Sequence, residues 1–121
     1  MQNAKRKIDI YDRTFEFACR IVRLHRASAR NATSRPLLNQ VLRSGTGIGA
    51  NLEEAEAGQS KADFISKMSI ALKEARETHL RLRLVATTKI FPERQLQPLV
   101  MEADEVKRVI GAIIVSTKRG C

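Results

Sequence analysis

Apolar residues recur at helical spacing along most of the chain, in four stretches separated by short breaks, and no stretch alternates with a period of two. Long helical patterns joined by short connections, with no strand between them, are expected to fold as an all-α, antiparallel up-down four-helix bundle. The 121 residues suffice for one such domain, 1–121, and are too few for two well-buried cores. The four stretches run over about 9–31, 36–57, 61–89 and 94–118.

In the first stretch Tyr11, Phe15, Ala18, Val22 and Ala29 share a face, with Ile10, Phe17, Ile21 and Leu24 beside them. This apolar arc covers nearly half the circumference, enough to touch two neighbouring helices. NATSRP breaks the pattern, and Pro36 suits the first turn of the second helix, whose inner face is Leu38, Val41, Ile48, Leu52 and Ala55. Gly58 is a stop, and Ser60 with Asp63 reads as a capping box opening the third helix. That helix buries Phe64, Met68, Ala71, Ala75, Leu82 and Val85; after Phe91-Pro92 the fourth presents Leu99, Ala103, Val106, Ile110, Ile113 and Thr117.

The second stretch contains SGTGIGAN, with glycines at Gly45, Gly47 and Gly49. A phosphate-cradling loop needs a strand before its glycines and a helix start after them, and a P-loop also needs Lys-Ser/Thr. Neither context is present. Glycine inside a helix costs about 1 kcal/mol relative to alanine, so these positions are expected to permit close helix packing.

Net charge is +9, which points toward polyanions. It is concentrated in residues 1–35 and 61–90, whereas 36–60 is net acidic. On the first helix Arg13, Arg20, Arg23, Arg26 and Arg30 occupy the arc left free by the apolar residues, a candidate phosphate-contacting surface. Asp12 and Glu16 share this arc and are placed to pair with its arginines across helical turns, which weakens it. The single tyrosine and four phenylalanines read as core or turn, so base stacking is not expected. Binding would be dominated by the backbone of the nucleic acid and sensitive to salt.

Residues 42–84, LRSGTGIGANLEEAEAGQSKADFISKMSIALKEARETHLRLRL, carry a more specific signal. Arg43, Ser44, Ile48, Asn51 and Glu54 on the second helix, with Ser60, Asp63, Phe64, Ile70, Ala71, Glu74 and Glu77 on the third, match a family pattern. The segment resembles the four-helix-bundle family of 23S rRNA intervening-sequence proteins. It departs from that pattern at Leu80-Arg81, where relatives often carry an aromatic pair. The resemblance implies a left-handed antiparallel bundle, often a ring-shaped homopentamer, with no enzymatic activity. It extends to the basic pentameric accessory protein of diversity-generating retroelements, which binds nucleic acid and a reverse transcriptase. Structured RNA as the partner follows from the family and not from these residues.

Some motif residues do not face a monomeric core. On the second helix Arg43, Gly47, Ala50 and Glu54 fall together opposite the apolar face. On the third, Ile70, Lys73, Glu77, Leu80 and Leu84 form an outward stripe with Arg76 at its edge. Apolar residues in line with charges between them suggest an interface. The expected contact is between this stripe and the small-residue face of the second helix in a neighbouring copy, with pairs such as Arg43–Glu77 and Glu54 with Lys73 or Arg76. The rival reading is a scaffold for another protein, such as a reverse transcriptase, with an incidental basic surface.

Catalytic and metal chemistry are not expected. Arg20 and His25 fit the R-x4-H spacing of small helical ribonucleases, but five helical steps put them about 140° apart. His25 is better read as a packed, hydrogen-bonded residue. Neither His25 nor His79 has a Glu three residues before it, so the ligand pattern of a di-iron bundle is missing and no cofactor is expected. No run of about 18 apolar residues suggests a membrane span, and no signal peptide is read at the N-terminus. With Cys19 in a helical pattern and Cys121 last, a reducing cytoplasm is the expected compartment.

Overall fold

The computed structural model describes residues 9–28 and 32–120. They form four helices: α1 Ile10–Ala27, α2 Arg35–Glu56, α3 Lys61–Thr87 and α4 Glu93–Lys118, with a short 3-10 turn, Ala32–Ser34, leading into α2. Each helix packs on its sequence neighbours and α1 closes the bundle against α4; among the described residues no backbone of a diagonal pair comes within 8 Å, Cα to Cα. Connections of seven, four and five residues between helices this long force adjacent helices to run antiparallel. The expected bundle is the fold.

Local chemistry sets the helix ends. Asp9 caps α1 by accepting from the Tyr11 N–H at 2.9 Å. The helix stops at Ala27, four residues before the expected 31, where the Ser28 hydroxyl donates to the His25 carbonyl at 2.7 Å and the Ser28 N–H turns back to the same carbonyl. Ala29, Arg30 and Asn31 lie outside the described residues. Ser60 accepts from the Asp63 N–H at 3.0 Å, as a capping box requires; the return bond from Asp63 reaches Gln59 N, one residue further out. Helix α3 ends at Thr87 in a Schellman motif: Lys89 is left-handed (φ 60), its N–H bonds to Ala86 O, and Ile90 N–H bonds to Val85 O.

The core runs the length of the bundle and includes Phe17, Ile21, Leu38, Ile48, Leu52, Met68, Leu82, Leu96 and Ile110, all essentially without solvent exposure. Each is worth roughly 1.5–3 kcal/mol of burial. The apolar arc expected on α1 is too wide. Phe15 is 68% exposed and Val22 37%, so the fully buried face is Thr14, Phe17, Ile21 and Leu24, with Ile10 and Tyr11 packed partly buried against the core. The glycine expectation holds most strongly at Gly45, where a Cβ would meet Ile21 Cγ1 at 2.9 Å and Cγ2 at 3.0 Å. At the preceding residue, buried Thr78 donates to Ser44 Oγ at 2.8 Å, joining α2 to α3 through the core.

Candidate nucleic-acid and assembly surfaces

The arginines of α1 separate into two groups. Arg13 Nε and Nη2 donate to Glu102 Oε2 and Oε1 at 2.6 and 2.9 Å, a two-pronged clasp holding α1 to α4. This ion pair takes Arg13 out of the free arc. Arg23 and Arg26 are exposed and Arg20 is half-buried in the α1–α4 seam beside Gln95 and Pro98; among the described residues none of the three has an ion-pair partner. The anticipated pairing of Asp12 and Glu16 with these arginines does not form. Arg30 lies outside the described residues.

The other flank of α1 faces α2. His25 Nε2 donates to Asn39 Oδ1 at 2.7 Å, while Arg20 points toward α4, so one phosphate cannot engage both. Tyr11 also lies on the α2 side. Burial, and then Glu56, which accepts from its hydroxyl and repels the phenolate, raise its pKa to about 12. Tyr11 is the one tyrosine in the chain, so phenolate absorbance reports it alone. The absorbance should titrate near pH 12 in the folded protein and near 10 after denaturation; a native midpoint at 10 contradicts this placement. Because the folded form keeps its proton longer, stability falls as pH rises between those two values. Phe15, Ala18 and Val22 follow Tyr11 at helical spacing, which puts an exposed apolar strip on this flank.

On α3 the outward stripe is present. Ile70, Leu80 and Leu84 are 38%, 51% and 43% exposed, with Lys73 and Arg76 exposed beside them. On α2, Ala50 and Glu54 are exposed, and Gly47 leaves the room that Glu74 occupies: a Cβ there would meet Glu74 Cδ at 3.4 Å. The Arg43–Glu77 pair expected between copies forms inside one chain. Arg43 lies 3.6 Å from Glu74 and 3.8 Å from Glu77, because α2 and α3 are direct neighbours and these residues meet along their shared edge. Sequence reasoning missed Arg81, which joins this group 3.5 Å from Glu77. The network is loose, since Glu74 Oε1 and Arg81 Nη1 are buried without a hydrogen bond.

Among the described residues no three His, Cys, Asp or Glu side chains gather as metal ligands, and no helix is long and apolar enough to cross a membrane. Cys19 is half-buried and free.

This helix order, with the α2–α3 charge network at its shared edge, agrees with the family pattern read at residues 42–84. The model of the 23S rRNA-intervening sequence protein family matches residues 6–112. The chain belongs to that family. A crystal structure of a protein of unknown function from the S23 ribosomal protein family of Bacteroides thetaiotaomicron VPI-5482, at 1.70 Å resolution, is similar in fold, with a TM-score of 0.83. Its sequence is 40% identical, and the match covers 88% of this chain and 98% of that one. Among curated proteins none matches. The family match takes in α1 and most of α4, where the letters alone carried little resemblance.

Proposed function

We propose that this 23S rRNA intervening-sequence family protein is a non-enzymatic, cytoplasmic RNA-binding bundle that assembles with copies of itself and holds RNA by its phosphates. The observation that carries the reading is the set Arg20, Arg23 and Arg26, which project from α1 without an acidic partner among the described residues in a chain of net charge +9. Arginine forks match phosphate oxygens and favour backbone contacts, while the exposed Phe15, which lines the same surface as Arg23 and Arg26, offers one ring on which a base could stack. The family name supports RNA as the polyanion. Reversing the charge of Arg23 and Arg26 tests this directly, because affinity should collapse while the fold and the assembly persist.

Self-assembly is favoured by the two separate apolar strips. The stripe Ile70, Leu80 and Leu84 lies on α3, whereas Phe15 and Val22 lie on α1 at the edge of α2's outer face, which presents Ala50 and Glu54. A contact between unlike patches is heterologous, which makes a ring where its rotation closes and a filament where it does not; the ring and its subunit number of five rest on the family resemblance. Glu54 of one copy would meet Lys73 or Arg76 of the next. A ring repeats the arginine arc around its rim and multiplies affinity by avidity. Replacing Leu80 and Leu84 together by Glu should give a helical protein of protomer mass, 13.6 kDa, by light scattering. Retention of the native mass sinks the proposed interface. The same strips favour the second reading, a scaffold for a protein partner such as a reverse transcriptase; that reading predicts normal assembly and no RNA affinity at low salt.

A further inference from the structure

An open groove of about 430 Å³ runs along the outer side of α1, lined by Phe15, Ala18, Cys19, Val22, Arg23 and Arg26. Phe15 stands at one end, 68% exposed, against the expectation that every aromatic ring belongs to the core or a turn. Ala18 and Cys19 are half-buried and make the floor, with Val22 beside them. Arg23 and Arg26 follow Phe15 at about 12 and 17 Å along the helix axis, at 1.5 Å per residue. Both are exposed and have no ion-pair partner among the described residues. The exposed acids of α1, Asp12 and Glu16, line a separate groove with Arg13 and Glu102, so no carboxylate lines this one.

A single exposed phenylalanine is ordinary. A ring, a small apolar floor and two unpaired guanidinium forks in one groove form a more selective combination. A nucleotide unites the matching groups, a flat base with a phosphate on either side, and any base can stack on an aromatic ring. The volume lies toward the lower end of the range for small-ligand sites, which suits one nucleotide. A second copy fits this groove less well. The apolar stripe of α3 is flanked by exposed Lys73, Arg76 and Arg83, and seating it here would set those cations against Arg23 and Arg26. The α2 face that presents Glu54 carries no such penalty.

We infer that this groove takes one unpaired RNA nucleotide, its base stacked on Phe15 and its flanking phosphates held by Arg23 and Arg26. The inference rests on the phosphate reading above and names the RNA feature that the same surface selects. In an unbroken duplex the bases are stacked on one another, and only phosphates reach the arginines. A bulged or looped nucleotide turns its base out at little cost and gains the ring as well. The surface therefore prefers RNA with an unpaired base, whatever that base is.

The test compares two labelled RNA duplexes at low salt by fluorescence anisotropy, alike except that one carries a single-nucleotide bulge. Wild type should bind the bulged duplex about tenfold more tightly, the size expected for one base stacked on an aromatic side chain. Phe15→Ala, a change at an exposed side chain, should bring the bulged duplex down to the affinity of the unbroken one. Phe15→Trp should keep the preference. Its indole would be the sole tryptophan of the chain, so its emission should fall with bulged RNA and hold steady with the unbroken duplex. Equal affinity of wild type for both duplexes overturns the inference, leaves the groove to a protein partner and lets the phosphate reading stand. A preference that survives in Phe15→Ala also overturns it. So does a fall in native mass of Phe15→Ala, which would make the groove a contact between copies. Absence of RNA binding by wild type overturns both readings.

Discussion

Reversing the charge of Arg23 and Arg26 together to Glu should lower affinity for a labelled RNA duplex by about a hundredfold at low salt, at roughly tenfold per lost charge-assisted contact. Both side chains are exposed and carry no ion pair among the described residues, so the change removes phosphate contacts without opening the bundle. The slope of log affinity against log salt should shrink by about two, because two fewer counterions are released. Melting temperature and native mass should stay as in wild type. Arg13 is the instructive contrast. Its guanidinium clasps Glu102 with bonds of 2.6 and 2.9 Å, so substitution there loosens α1 from α4 and reports on stability. A loss below threefold in the Arg23/Arg26 variant would contradict the arc.

Gly45→Leu should destabilise the fold by about 3 kcal/mol, the upper end of ordinary overpacking. A Cβ at this position already lies 2.9 Å from Ile21 Cγ1 and 3.0 Å from Cγ2, and Ile21 is fully buried. Those are the two γ-carbons of a β-branched side chain, stiff about its first torsion and unable to swing aside. Gly45→Ala should come out milder, since about 1 kcal/mol of helix propensity offsets part of the clash. A double-mutant cycle separates the causes. Ile21→Ala alone should cost about 2–5 kcal/mol through its cavity, and much less in the Gly45→Leu background, where leucine fills that space. Gly111, where a Cβ meets nothing within 4 Å, should accept alanine with a small gain in stability. Equal tolerance at Gly45 and Gly111 in chemical denaturation would refute the close α1–α2 approach.

The four helices were legible because their apolar spacing is regular and because Pro36 and Ser60 mark two of the starts. The end of α1 was not, since ASARNATS offers several residues able to cap a helix, and Ser28 is the one whose hydroxyl and N–H both bond to the His25 carbonyl. Phe15 and Phe17 show the same limit: both are apolar on one helix, and the placement of α2 and α4 decides that Phe17 enters the core. Helical projection put Arg43 and Glu77 on outward faces correctly. It treats each helix alone, however, and so missed that two adjacent outer edges meet within one chain. The ion pairs around Asp104 were illegible for a related reason, as the approach of His79 to Asp104 depends on the register of α3 against α4.

The central claim is that this bundle holds RNA through unpaired arginines, and the salt dependence of wild-type binding tests it most directly. Affinity for a labelled rRNA duplex, measured across a range of salt concentrations, should fall log-linearly with a slope of about −3 or steeper, one counterion for each of Arg20, Arg23 and Arg26 in an engaged protomer. Affinity that does not change with salt, or no binding at the lowest salt, would contradict it.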